Sequence, residues 1–380
     1  MNILLLDFHR GWGGQPSCVL LLARELTRRG HQAVIVTPAG GELARRARDM
    51  NLPTFESCRF LKPRRVLSFL RDVAALARQA RQTGVEIMHA TGSQDVWTAA
   101  LARRWFALPC AVILTRHNTK RVGWHAANRW LYGRGIDRLA VASRSVLERY
   151  DPYLRRGILD ARRVGVLPPS LWFEDFEGNL DPALFRREIG VGDSDPLVGV
   201  IGRLVPDKGQ DDFLRAAAQV RRRFPAARFL LVGTGAWEAH LRSLARDLGL
   251  DDIVRFLGFR RDVPRITAAL DLSVLPSVDC DASPTVVKEA QLLGVPVVAT
   301  SVGGAREIIQ DGVSGRIVPP HRPDLLAGAI GDLLADRERA RRMGAAGRER
   351  VRALFSHEAL AQAHLAFYRE VLEERRAGLH

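Results

Sequence analysis

The chain has 380 residues, of which 47% are hydrophobic and 26% charged, and its formal net charge is +15. That length exceeds what one ordinary core fills and suits two domains, and the composition excludes disordered and fibrous classes. No apolar run approaches the roughly 18 residues that cross a bilayer.

The opening MNILLLDFHR has no basic lead-in and runs straight into a strand pattern, so no signal peptide is expected. Further buried strands are predicted at 33–37, 85–90, 111–115 and 138–143, with amphipathic helices at 18–30, closed by Gly30, and at 66–80. The segment 159–182, rich in Pro, Gly and acidic residues, reads as a linker. Four cysteines, Cys18, Cys58, Cys110 and Cys280, lack CxxC or Cys/His spacing and read as reduced structural thiols of a cytosolic protein. Charge is uneven. Residues 1–180 hold 28 Lys and Arg against 15 Asp and Glu, a net of +13, whereas residues 181–380 hold 29 against 27, a net of +2. Such a field suits nucleic acid, an acidic membrane surface or a phosphorylated substrate; a general preference for Arg is the alternative source of the excess.

A second strand series follows at 196–202, 227–233, 254–258, 270–276, 295–300 and 315–320, with helices between at 210–224 and 237–249. Regular alternation of strand and helix predicts parallel α/β sheets, doubly wound in each half and binding ligands at the carboxyl strand ends. From 323 onward the chain reads as helical, ending in 357–376.

Three stretches carry chemistry. In GRLVPDKGQD (202–211), Gly202 ends a strand, and Arg203 and Lys208 stand five apart across a strand-to-helix loop, placed to converge on one anionic group. It is not a Walker loop, because GxxxxGK[ST] is absent. In DASPTVVKEA (281–290), Asp281 and Glu289 flank the start of a helix; carboxylates beside an anion site are more useful gripping hydroxyls. Gly303 and Gly304 follow the next strand, where glycine lets main chain approach a ligand. In the first half, 59–82 joins a basic lead-in to an amphipathic helix, readable as a dock for anionic lipid or as an ordinary packed helix. The stretch TRHNTKRVGWHAANRW (115–130) supplies Arg116, Lys120, Arg121 and two tryptophans.

Taken in order and spacing, GRLVPDKG, the D-x7-E pair, GVPVVAT and GGAREII resemble the retaining GT-B glycosyltransferases often called family 4, as do the first-half GWGGQP loop and TRHN. The resemblance implies two Rossmann-like doubly wound domains facing an interdomain cleft: an acceptor-binding domain over 1–175, onto which a helix at 358–380 packs back, and a donor-binding domain over 176–357. It implies a nucleoside diphosphate sugar as donor substrate, no cofactor and no metal. Arg203, Lys208, His117 and Asp281 would act at the reaction centre. Gly13, Gly14, Gly202, Phe259, Arg260, Ala282, Ser283, Pro284, Thr285 and Glu289 would bind the donor, Glu289 by its ribose. Arg116, Lys120, Arg121 and Trp124 would meet the acceptor, a glycan or a lipid-linked or phosphorylated glycolipid. Lipopolysaccharide or other surface polysaccharide synthesis, on the inner face of the membrane with an anionic membrane surface as partner and no nucleic acid, completes the expectation. Two departures stand out: position 281 is usually Glu, and LPPS (167–170) replaces a usual Asn-Gly pair. The alternatives are a non-catalytic or epimerase-like sugar-nucleotide binder and a basic nucleic-acid-binding protein.

Overall fold

The computed structural model describes all residues except 62–65, 179, 280 and 379–380. Lys62, Arg64 and Arg65 of the basic lead-in, and Cys280, therefore lie outside the described residues. The chain divides into two compact units, Met1–Ser170 with His357–His380, and Leu171–Ser356.

Among the described residues the first unit has seven strands: β1 (Asn2–Leu6), β2 (Gln32–Val36), β3 (Thr54–Phe55), β4 (Ile87–Ala90), β5 (Ala111–Arg116), β6 (Arg138–Val141) and β7 (Val164–Val166), in spatial order 3-2-1-4-5-6-7. All pair in parallel. The apolar runs of β1, β4 and β5 are buried on both faces, as a helix-covered parallel sheet demands. The order reverses between β1 and β4, so the loops after those strands open at the switch point where α/β sheets bind ligands. Helices α1 (Gly14–Arg28), α2 (Val66–Gln82) and α3 (Ser93–Trp105) are among the crossovers.

The second unit contains β8 (Leu197–Ile201), β9 (Arg228–Val232), β10 (Val254–Gly258), β11 (Leu272–Leu275), β12 (Val297–Thr300) and β13 (Arg316–Val318), ordered 10-9-8-11-12-13 and again parallel, with the switch between β8 and β11. Two apolar cores lie against it, one around Phe213, Phe229 and Ile330, the other around Phe185, Val297 and Phe355. Helices α4 (Gln210–Arg223) and α5 (Thr285–Leu292) follow β8 and β11.

Several expectations are corrected. Helix α1 begins at Gly14 rather than 18, because the first turn is built from Gly-Gln-Pro-Ser, with Pro16 where a missing N–H costs nothing. The 159–182 linker contains β7; its Gly165 leaves room for the Phe367 ring, which a Cβ there would meet at 2.6 Å. The first unit ends at Ser170, not at 175, because Leu171 is buried in the second core, with Phe173 and Phe176 packed on it. The C-terminal helix His357–Arg376 belongs to the first unit, where Tyr368 shares a buried 2.6 Å hydrogen bond with His89 Nδ1. His89 Nε2 in turn bonds Thr115 Oγ1 at 2.6 Å, tying β4, β5 and the last helix together.

Candidate functional site

In the second unit the loops after β8, β11 and β12 are laced to one another. Gly202 takes φ 157°, and neighbouring Gly233 approaches so closely that a Cβ would sit 2.0 Å from the Gly202 carbonyl oxygen. Lys208 ends a single 3-10 turn, and Gly209 follows at φ 64°, where a Cβ would meet the Pro276 carbonyl oxygen at 2.0 Å. Only glycine satisfies both demands there. The Val278 N–H donates to the Asp207 carbonyl at 3.0 Å, joining the same two loops. Gly303, at φ 60°, brings the third loop in; a Cβ there would meet the Asp281 carbonyl oxygen at 1.8 Å, and the Gly304 N–H donates to that oxygen at 2.8 Å. The glycine pair expected to admit a ligand thus grips the Asp281 main chain.

At this junction the Lys208 ammonium donates to Asp281 Oδ2 at 2.6 Å, with the two side chains only 18% and 15% exposed. Ser277 Oγ donates to the same oxygen at 3.2 Å. The Arg203 side chain is exposed, and among the described residues no carboxylate pairs with it; its carbonyl is pinned by Gln210 Nε2 at 2.8 Å. Ala282, Ser283 and Pro284 lead into α5, whose first turn starts at exposed Thr285 with no side-chain cap, leaving N–H donors for an anion. Glu289 stands one turn further along. Burial pushes it up to about 7, the Lys288 ammonium opposing and the Asp175 carboxylate adding to the rise. After β10, Phe259 is 70% exposed. Arg260 is already committed: its guanidinium donates to Asp262 at 2.8 and 2.7 Å and to Glu188 at 3.1 Å. What it offers a ligand is therefore stem and main chain rather than free charge.

In the first unit, Gly13 caps α1 in extended backbone and Gly14 is its first residue; a Cβ on either meets nothing within 4 Å. The protein's own packing does not require glycine at these positions. A pocket of about 360 Å³ is lined by Arg116, Lys120 and Arg121 with Phe8, His9 and Gln15. Among the described residues no carboxylate lines it and the buried Arg116 Nε has no partner, while the Arg116 guanidinium donates to Asn118 Oδ1 at 3.3 Å. Two expected residues lie elsewhere. Trp124 packs on Tyr153 at 4.9 Å under the Arg156 guanidinium at 4.4 Å. His117 lines a separate cavity of about 20 Å³ with His89, Thr115 and His364.

Sequence reasoning missed His9 and Gln15. Asp7 is fully buried at the end of β1; burial would raise its carboxyl, but its hydrogen bond to His9 at 3.1 Å wins and holds it low, while the imidazole is raised in return. Gln15 Nε2 and Thr91 Oγ1 each donate to Asp7 Oδ2 at 2.9 Å. The signal was present in LDFHR, where an Asp-x-His follows directly on a buried strand. Among the described residues no group of three His, Cys, Asp or Glu side chains could hold a metal ion, and no helix is long and apolar enough to cross a membrane.

Comparison with known proteins gives the family. Residues 183–350 match the family described as Glycosyl transferases group 1, and residues 12–170 match Glycosyltransferase Family 4. A GDP-mannose-dependent alpha-(1-6)-phosphatidylinositol monomannoside mannosyltransferase of Mycobacterium tuberculosis is 37% identical over 214 residues, 53% of this chain and 55% of the relative. A D-inositol 3-phosphate glycosyltransferase of Nocardia farcinica is 36% identical over 194 residues, 49% of this chain and 43% of the relative. The chain thus spans about half the length of the curated relatives it matches. In fold it is similar to a glycosyltransferase from Rickettsia africae, with a TM-score of 0.85 at 19% identity over 98% of both chains. It is likewise similar to Anabaena HepE in complex with UDP, with a TM-score of 0.79 at 24% identity over 97% of this chain and all of that one.

Proposed function

The chain belongs to the group 1 and family 4 glycosyltransferases and has their GT-B fold, and from that premise we propose that it transfers a sugar from a nucleoside diphosphate sugar to a phosphorylated or lipid-linked glycan acceptor, with retention of configuration. The single observation that carries this reading is the junction of three loops at Lys208, at carboxyl strand ends and beside the uncapped start of α5. Positive charge is what a departing diphosphate needs, and cations that close on it when the donor binds stabilise the charge that develops as the bond breaks.

The roles divide by unit. In the second unit, Arg203 and Lys208 take the diphosphate together with the N–H groups of Ala282, Ser283 and Thr285 and the Gly202 turn. Glu289 accepts the ribose hydroxyls, exposed Phe259 with the adjoining Arg260 stem covers the base, and Asp281 holds a hydroxyl of the donor sugar. With two cations assigned to the leaving group, neither a metal nor a cofactor enters the proposal. In the first unit, the pocket of Arg116, Lys120 and Arg121 suits an acceptor bearing phosphate, in line with relatives named for phosphatidylinositol monomannoside and inositol 3-phosphate. Gly13 and Gly14 offer close main-chain approach. Synthesis of a cell-surface glycolipid or polysaccharide, lipopolysaccharide included, at the inner face of a membrane follows from such an acceptor.

The test is direct. UDP-glucose and GDP-mannose are screened for release of free nucleotide, and the donor that turns over is assayed with the Lys208→Ala variant. Turnover should fall by about 100-fold or more while thermal unfolding stays intact, as loss of one charge stabiliser implies. Undiminished turnover in that variant rules the role out.

A further inference from the structure

We infer that Asp281 and the donor's diphosphate compete for Lys208, so that donor binding exchanges the ammonium from a carboxylate to the diphosphate; this rests on the donor site proposed above. The carboxylate is held by its neighbours, whereas its partner stands on a flexible stem. Gly303 and the Gly304 N–H lock the Asp281 main chain, and Ser277 Oγ holds the same Oδ2 that receives Lys208. Lys208 reaches that oxygen on a flexible four-carbon stem with three donors, able to swing while Asp281 stays.

Physical need accounts for the pair. Both side chains are mostly covered, and an ammonium left alone in such a place would bear an uncompensated desolvation cost. A carboxylate beside an anion site repels the anion, so its presence weakens binding unless it serves the empty state. A diphosphate carries more charge than one carboxylate and displaces it, while the standing competition lowers the net hold on the nucleotide; when the nucleotide leaves, the same carboxylate takes Lys208 back. Asp281 is then a positioning residue for Lys208 when the site is empty, and its carboxylate is left free to accept from a hydroxyl of the donor sugar when the site is filled.

The inference is tested by calorimetric titration of wild type and Asp281→Asn with inorganic pyrophosphate, UDP and GDP, probes that contain no donor sugar. Asparagine keeps the size and can still accept from Ser277. Loss of the competitor should tighten pyrophosphate and the better nucleotide by roughly 3- to 10-fold, the scale of a partly exposed ion pair. The gain must vanish when Lys208→Met is added, so that the double variant matches Lys208→Met alone. Asp281→Ser replaces the amide if Asp281→Asn lowers the melting temperature. A purely structural role for Asp281 would weaken binding, and either weaker or equal affinity in a folded variant overturns the competition. If none of the three probes binds wild type or variant, the donor site itself falls, and the competition with it.

Discussion

A single carboxyl shows how site and stability pull against each other. Glu289 is pushed up to about 7 by burial, so in the ligand-free protein it holds a proton at pH 6 and has lost it by pH 8. Ribose hydroxyls donate best to the ionised form. Affinity for an intact nucleotide sugar, whose diphosphate has no proton to lose in this range, should therefore rise as pH passes through about 7. A gain of up to about tenfold between pH 6 and 8 is expected, and Glu289→Gln should flatten the curve. The stability sign is the reverse. The folded value lies above the unfolded one, so native Glu289 binds the extra proton, and stability present below about pH 4.5 is lost as pH rises towards 7. Glu289→Gln should thus raise the melting temperature at pH 8, by an amount corresponding to roughly 1–3 kcal/mol, and change little at pH 5. A pH-independent affinity in wild type would remove ionised Glu289 from the ribose. The residue was legible in the sequence as half of the D-x7-E pair; its proton was not, because the shift comes from tertiary burial and from Asp175, far away along the chain.

Among the elements, the C-terminal helix is fastened by polar groups that an apolar pattern does not reveal. His89 reads in sequence as an interruption of the strand VEIMHA, yet it bridges Thr115 and Tyr368 inside the fold. Tyr368→Phe leaves one buried ring nitrogen unpartnered and should cost about 1–2 kcal/mol, read as faster amide exchange across His357–Arg376. Burial holds His89 well below its ordinary value and His364 down to about 4, with their mutual repulsion and that of His117 adding for His89. Unfolded histidine binds its proton near 6.5, so this stability is full above that pH and is lost as pH falls towards 4. Asp95 runs the other way: burial, with Asp7 adding, raises it to about 7. The measurement must therefore be local exchange in the helix, not a global melting point. Acid should loosen it between about pH 6.5 and 4.5, and unchanged protection there would contradict the clasp. The long buried strands were legible because uninterrupted apolar runs leave little choice. Strands β3 and β7 were not: they hold two and three residues, and Gly165 is chosen for the ring of Phe367 rather than for a strand. The lacing of three loops at Asp281 was equally hidden, since glycines at 209 and 303 face main chain that is distant in sequence.

At the scale of the whole chain, the excess charge sorts completely between the two units. The first holds 31 Lys and Arg against 16 Asp and Glu, a net of +15, and the second holds 26 against 26. A preference for Arg across the whole protein would have spread the excess over both, so the division favours an anionic partner for the first unit. Beside this charge, α2 begins with Val66 and Leu67 exposed, Leu67 at 85%, and Leu70 follows, with Arg59 and Arg71 exposed near them. Apolar side chains next to cations suit the boundary between lipid headgroups and acyl chains, where each cation contributes about 1 kcal/mol to binding an anionic leaflet. Vesicles containing anionic lipid should therefore bind the protein at low salt, purely zwitterionic vesicles should not, and about 0.5 M salt should release it. Leu67→Asp removes a side chain whose burial is worth about 1.5–3 kcal/mol and should weaken vesicle binding by about tenfold or more. The same variant separates lipid from nucleic acid: a duplex held by charge alone would lose only the small effect of one added carboxylate. Equal losses on vesicles and on DNA, or none on vesicles, would mean that the first unit carries its charge for something other than a membrane.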